Sequence, residues 1–223
     1  MKKKKRVKRK ISFLKVTIVF LLTYLIISVV YNIITMPIKN IYISGNEFLK
    51  DQYIIRKANI ENYPPFFLTT SYGIEKELLK DNFINDVNVK KGFFYVKIEV
   101  DENYPLFYNS SNKKLVLKNG VEVDYSYNSA ILLNYVPDTI YSTFINKLSN
   151  LPKDILYRIS EIKYDPNDVD SERFLLTMND NNYVYINIDT FEKLNNYLDF
   201  IKSFKYKKGI LYLDSGDYFK VFE

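Results

Sequence analysis

The chain opens with a block of apolar residues and only later settles into short alternating patterns. VTIVFLLTYLIISVVYNIIT, Val16 to Thr35, carries no charge over twenty residues. At about 1.5 Å per residue such a run crosses a hydrocarbon layer of about 30 Å. Thr17, Thr23 and Ser28 are compatible with lipid because their hydroxyls can bond back to helix carbonyls. Tyr31 and Asn32 suit the far boundary of the layer, and Met36-Pro37 closes the helix, since proline lacks the donor and disfavours helix before it. The run is longer than the apolar region of a cleavable signal peptide. Thr35-Met36-Pro37-Ile38 also offers no small-residue cleavage pattern, so an uncleaved anchor over 16–36 is expected.

After Pro37 the periodicity drops to two. Ile41 and Ile43 alternate with Tyr42 and Ser44 as in a strand, ended by the turn pair Gly45-Asn46. Asp51 is placed to cap a short amphipathic helix carrying Tyr53, Ile54, Lys57 and Ala58. Pro64-Pro65 breaks the chain. A second helix is predicted over Thr69–Asp81, with Thr70 or Ser71 as its cap and Ile74, Leu78 and Leu79 on its apolar face. Two strands follow, Ile84–Val89 and Phe93–Val100, around a turn at Lys91-Gly92. Phe94, Val96, Ile98 and Val100 share one side of the second strand, and Lys97, Glu99 and Asp101 the other. This half is a compact βααββ layer pair.

From Pro105 the pattern is strand-rich. Leu106–Tyr108, the hairpin of Lys114–Lys118 and Val121–Val123 around Asn119-Gly120, Ile131–Tyr135 and Ile159–Tyr164 read as strands. Phe174–Met178 and Tyr183–Ile188 form a second hairpin. Thr139–Leu151 has helical spacing, with Phe144, Leu148 and Leu151 on one face. Thr190 is expected to cap a last helix reaching Phe204, with Phe191, Leu194, Leu198 and Ile201 inward. Gly209 leads into a final strand. The fold class is α+β: an N-terminal transmembrane helix, a βααββ domain, then a mixed β-sheet domain with helices on one face.

Composition narrows the chemistry. Among 223 residues there is no His and no Cys. This removes disulfides, a thiolate nucleophile, a Cys-ligated zinc site, the Ser-His-Asp triad and the usual general base. Carboxylates remain, and a membrane-anchored wall hydrolase would use a pair such as those among Glu99, Asp101 and Glu102; their alternation suits a solvated strand better. No metal, cofactor or small-molecule substrate is expected.

The net charge of +6 is uneven. Eight Lys and Arg residues lie within Met1–Lys10 and Lys15 follows, whereas the remainder of the chain carries 23 basic and 26 acidic residues. The folded part has no basic stripe for nucleic acid. Nine positive charges before the apolar run and none directly after it place the N-terminus in the cytoplasm and everything from about Pro37 outside.

The anchor, the strand ending Ser44-Gly45-Asn46, the βααββ order and the closing Val100-Asp101-Glu102-Asn103-Tyr104-Pro105 resemble the POTRA domain of the FtsQ/DivIB bitopic cell-division proteins. The family's GN is Gly45-Asn46, and its V-x-E-x-x-P matches Val100, Glu102 and Pro105. The segments RISEIKY, DNNYVYI, FEKLNNYLDFI and GILYLDSGDYF follow the order and spacing of the DivIB β-domain. One departure is Asp180-Asn181-Asn182, where the family has an Asp-Gly turn; Asn tolerates the left-handed conformation, so the hairpin is expected to survive. The resemblance divides the chain into a basic cytoplasmic tail (1–15), a transmembrane helix (16–36), a POTRA domain (37–102) and a DivIB-type β-domain (103–223).

The resemblance implies a scaffold without chemistry of its own, at the division septum of the cell membrane. It would bind FtsL-like and DivIC/FtsB-like bitopic partners outside the membrane and support septal peptidoglycan synthesis. Docking would occur by β-augmentation, a partner strand added to an exposed sheet edge. The matching positions are Leu211, Tyr212, Leu213, Asp214, Ser215, Gly216, Asp217, Tyr218 and Phe219. Ile210–Leu213 is apolar on both faces and should pair within its own sheet. Asp214-Ser215-Gly216 should turn the chain, and Tyr218 onward should be left at an edge blunted only by Asp217 and Lys220. A POTRA-type translocation or adhesion protein is a third reading, disfavoured by a single POTRA-like unit and no barrel pattern.

Overall fold

The computed structural model describes residues 13–205 and 207–222. The basic cluster of Met1–Lys10, on which the orientation rests, lies outside them. Helix α1, Phe13–Ile34, buries none of its 22 residues. Among the described residues it is the one helix long and apolar enough to cross a membrane. Thr17 and Thr23 donate to the carbonyls of Phe13 and Phe20, and the Asn32 amide donates to Ser28, so their polar groups are satisfied within the helix.

The chain divides into two compact units, one running to Asp81 with Asp86–Val100, the other formed by Asn82–Asn85 and Asp101 onward. In the first unit the elements after α1 are β1 (Asn40–Ser44), α2 (Asp51–Lys57), α3 (Ser71–Leu78), β2 (Ile84–Gly92) and β3 (Tyr95–Glu102). This is the βααββ order, in a sheet ordered β1-β3-β2 with β1 parallel to β3. Val96, Ile98 and Val100 are buried on one face of β3, and Ile54, Ile74 and Leu78 reach into the core from the helices.

Gly45 has φ +86°, and a Cβ there would lie 2.2 Å from the Val100 carbonyl oxygen, so the turn after β1 accepts only glycine. Asn46 then donates to the Leu49 carbonyl and the Asp51 carboxylate, each at 2.8 Å. Asp51 is therefore the first helical residue rather than the cap, which is Lys50. Thr70 does cap α3, accepting from Gly73 N at 3.0 Å. Leu79, expected on the apolar face, is the C-cap and half exposed, because the helix ends before the turn that would carry it inward. The β2–β3 turn falls on Phe93-Phe94 rather than Lys91-Gly92; Phe94 adopts φ +60° and buries its ring beside Phe66.

Asp81, 8% exposed, ties the two helices together. It accepts from Tyr53 Oη at 2.6 Å and pairs with Lys57 Nζ at 2.8 Å. Burial, and then the bond to Asp81, push the Tyr53 phenol up to about 12 from 10. A pKa raised by folding gives stability that is complete below the unfolded value and is lost as pH climbs through the folded one. Alkaline unfolding of the full chain, followed by circular dichroism, is therefore expected to show a Tyr53 contribution lost between about pH 10 and 12. Tyr53→Phe should flatten that part of the curve; superimposable curves for the two proteins would refute it.

The second unit comprises β4 (Pro105–Asn109), β5 (Lys114–Leu117), β6 (Glu122–Val123), β7 (Ala130–Leu132), α4 (Asp138–Ser149) and α5 (Lys153–Leu156). These are followed by β8 (Ile159–Tyr164), β9 (Arg173–Met178), β10 (Tyr183–Asn187), a 3-10 helix (Phe191–Asn196), α6 (Tyr197–Ser203), β11 (Gly209–Tyr212) and β12 (Tyr218–Val221). The sheet has nine strands in the order β12-β11-β10-β9-β8-β7-β4-β5-β6. Pairing is parallel at β4–β7, β7–β8 and β10–β11, so the sheet is mixed. The helices cover one face. Phe144 of α4 stacks on Phe174 at 4.5 Å and packs beside Phe107 and Phe191.

The last helix departs from expectation in two ways. Thr190 stands at the N-cap position as expected, but its hydroxyl makes no capping bond and is engaged with Asn187. Tyr197, fully buried, faces inward instead of Leu198, which is 38% exposed. The first six residues are 3-10, with three residues per turn, so Phe191, Leu194 and Tyr197 align before the α-helical step to Ile201.

Candidate functional site

The final hairpin lies at one end of the nine-stranded sheet. β11 pairs in parallel with β10, matching Tyr183 to Ile210 and Tyr185 to Tyr212. On its other side it pairs antiparallel with β12, matching Ile210 to Lys220 and Tyr212 to Tyr218. Gly209 makes the second pairing possible: a Cβ there would lie 2.2 Å from the Lys220 carbonyl oxygen. The start of β11 is set by Asn182, 1% exposed, whose side-chain oxygen accepts from Gly209 N at 2.8 Å. Asn182 closes the β9–β10 turn, in which Asn181 takes φ +64°, as the Asn-for-Gly departure requires. Asp180 of that turn accepts from the Tyr197 hydroxyl at 2.8 Å and, at its carbonyl, from Lys208. Burial, then the bond to Asp180, hold the Tyr197 phenol well above its ordinary value.

The sheet face away from the helices carries a stacked row. Arg173 of β9 places its guanidinium 3.7 Å over the Tyr185 ring. Tyr185 stacks on Tyr212 at 5.3 Å, and Tyr212 on Tyr218 at 4.5 Å with the rings 8° apart. Arg173 Nε also donates to Asp214 at 2.7 Å, with side chains only 14% and 7% exposed, and its Nη1 lies 3.4 Å from Asp165. Asp214 opens the turn into β12, so one arginine holds the row and the turn. Lys193 pairs with Asp217 at 2.7 Å on the turn's other side.

Of the nine residues assigned from sequence, Leu211 and Tyr212 lie in β11, whose main chain is paired on both sides, and Leu213 N donates to the Tyr185 carbonyl at 2.8 Å. Leu211 and Leu213 are fully buried. An added strand cannot pair with β11, so the Leu211–Leu213 part of the site is corrected. Asp214, Ser215, Gly216 and Asp217 form the connecting turn. Tyr218 and Phe219 do lie on the outermost strand, β12. The bond from Phe222 N to the Lys208 carbonyl fixes the phase of the ladder. By the alternation of antiparallel pairs, Phe219 and Val221 turn their N–H and C=O groups to the free edge. Phe219 stacks on Phe204 at 4.7 Å, while Tyr218, Val221 and Phe222 are 49%, 41% and 44% exposed. Asp217 is drawn to Lys193, leaving Lys220 as the charge on the strand itself.

Val221 and Phe222 continue the edge expected from Tyr218 onward, beyond the nine assigned positions; Arg173 and Asn182 are the residues the sequence does not single out. An arginine on the open face of an otherwise apolar strand was the available sign for Arg173; nothing in the sequence marks Asn182 as buried.

The carboxylates Glu99, Asp101 and Glu102 do not share a solvated face. Asp101 accepts from Asn85 at 2.6 Å, whereas Glu102 is 3% exposed. Among the described residues no cluster of three or more potential metal-ligating side chains occurs.

An apolar helix long enough to cross a membrane, a βααββ unit and a mixed sheet define a POTRA-type architecture with a candidate transmembrane helix. Residues 36–102 match the FtsQ-type POTRA domain. The cell division protein DivIB of Listeria monocytogenes is 27% identical over 98% of this chain and 85% of its own length. DivIB of Bacillus anthracis is 28% identical over the same shares, and that of Bacillus subtilis 27% identical over 99% and 86%. A solved structure, the extracytoplasmic domain of the trans isomer of DivIB from Geobacillus stearothermophilus, is 22% identical. It covers 47% of this chain and 95% of that one, with a TM-score of 0.38, too low to bear on the fold. Over nearly its whole length the chain is thus similar to the DivIB cell-division proteins, and its residues 36–102 carry the FtsQ-type POTRA domain.

Proposed function

We propose that this protein is a bitopic scaffold of the divisome, N-terminus in the cytoplasm and both outer units on the far side, enriched at the septum. It receives FtsL-like and DivIC/FtsB-like partners and through them supports septum formation and septal peptidoglycan synthesis. It acts by assembly and performs no reaction of its own. The docking step is β-augmentation at β12, where a partner segment becomes the tenth strand of the sheet. The observation that carries this reading is the free edge of β12, with two sets of outward main-chain groups flanked by half-exposed Tyr218, Val221 and Phe222. Proteins usually blunt such an edge, and here a single lysine does so.

Proline discriminates between the two edges of β12. Val221→Pro removes an outward N–H and leaves the bonds to β11, whereas Lys220→Pro removes an inward one. Val221→Pro is expected to abolish co-purification with a coexpressed FtsL/DivIC-type pair while leaving the thermal midpoint nearly unchanged. Lys220→Pro should lower both. Undiminished capture by Val221→Pro would mean that the partners dock elsewhere.

A further inference from the structure

We infer that two loops of the first unit dip into the interfacial layer of the leaflet from which α1 emerges, so that this unit is held on the bilayer by more than its tether. This rests on α1 spanning the membrane.

The lacing begins at the last turn of the helix. Met36, two Cα steps or about 7.6 Å of chain beyond Ile34, accepts from Phe66 N at 2.8 Å. Pro37 bridges to Pro65, Ile38 N donates to the Pro64 carbonyl, and Lys39 N donates to the Phe94 carbonyl at 2.8 Å. The Pro64–Thr69 loop and the Phe93-Phe94 turn are thus bonded to the residues that leave the helix. They cannot lie far from the layer that the helix leaves.

Their tips are apolar. Phe93 is 83% exposed, Leu68 66% and Phe67 49%, although soluble surfaces seldom gather large apolar side chains in one patch. The rings are contiguous: Phe93 to Phe94 at 4.4 Å, Phe94 to Phe66 at 5.3 Å, Phe66 to Phe67 at 5.3 Å. Lys91 fixes the loop from inside, donating to the carbonyls of Phe66 and Thr69 with its ammonium 4.1 Å over the Phe66 ring. The charge around the tips suits a phospholipid surface. No acidic residue occurs in 62–74 or 87–98, while Lys39 and Lys90 stand exposed. Aromatic side chains partition to the membrane–water boundary, and lysines beside them meet phosphate.

The chain contains no tryptophan, so each introduced one is a unique probe. The full chain would be placed in nanodiscs of phosphatidylcholine and phosphatidylglycerol as Phe93→Trp, Phe67→Trp or, within the span, Leu25→Trp. Quenching is then compared between lipids spin-labelled near the head group and lipids labelled at mid-chain. The inference expects blue-shifted emission from Phe93→Trp and Phe67→Trp, quenched more by the shallow label than by the deep one. Leu25→Trp should show the reverse order. Water-like, unquenched emission from both loop probes, with Leu25→Trp quenched by the deep label, would overturn the inference and leave the span standing. An unquenched Leu25→Trp would instead overturn the span and the inference with it.

Discussion

Arg173→Ala is expected to destabilise the second unit by about 3 kcal/mol, the lower end of what an uncompensated buried charge costs. The change removes the partner of Asp214, whose carboxylate is 7% exposed, and strips the guanidinium from the Tyr185 ring. Because Asp214 opens the turn into β12, the loss should also be felt at the edge: capture of the FtsL/DivIC-type pair should fall with stability. A urea titration followed by tyrosine fluorescence measures the first effect, and co-purification the second. Asp214→Asn in the Arg173→Ala background should recover part of the loss by removing the stranded charge. A change in stability below about 1 kcal/mol would mean that solvent screens the pair as it does on open surfaces. Lysine is not expected to substitute, having neither the planar face for Tyr185 nor the forked nitrogens that let Arg173 reach Asp214 and Asp165 at once.

Gly209→Ala is expected to separate the edge strand from the sheet. The added Cβ would meet the Lys220 carbonyl oxygen at 2.2 Å and the Phe219 ring at 2.8 Å, and the first of these is main chain that cannot rotate aside. The cost, about 1–3 kcal/mol as for overpacking elsewhere, should fall on β12 selectively. Amide exchange at Ile210, Lys220 and Phe222 should quicken while Val184 and Leu176 keep their protection. Partner capture should fail at the same time. Uniform loss of protection would instead place the fault in the Asn182 bond to the Gly209 amide and the start of β11.

Most of the order of elements was readable because it rests on local periodicity. The apolar block, the βααββ succession and the Phe174–Ile188 hairpin depend on spacing and turn residues alone. Asn181 is the clearest case: its left-handed φ follows from the residue types at one turn. Errors came where a phase or an edge depended on distant contacts. α-Helical spacing puts Leu198 inward, but the stretch begins as 3-10 and its three-residue turn brings Tyr197 in instead. Leu211–Leu213 pairs within its own sheet, as its two apolar faces imply, but the sequence does not show that β12 folds back to take its second edge from a partner. Arg173 and Asp214 are 41 residues apart, and Asn182 and Gly209 are 27 apart, so neither bond leaves a local trace.

The parallel pairing of β11 with β10 bears on the order of events in folding. Hairpins close quickly because their partners are neighbours in sequence, but residue 183 meets residue 210 only after the 3-10 and α6 crossover has docked. β12 can close on β11 early as a hairpin, but that hairpin has no sheet to join until the slower closure is complete. Recruitment through this edge would therefore report on maturation: a chain whose crossover has not docked presents an isolated hairpin rather than the edge of a finished sheet, and assembly would wait for it.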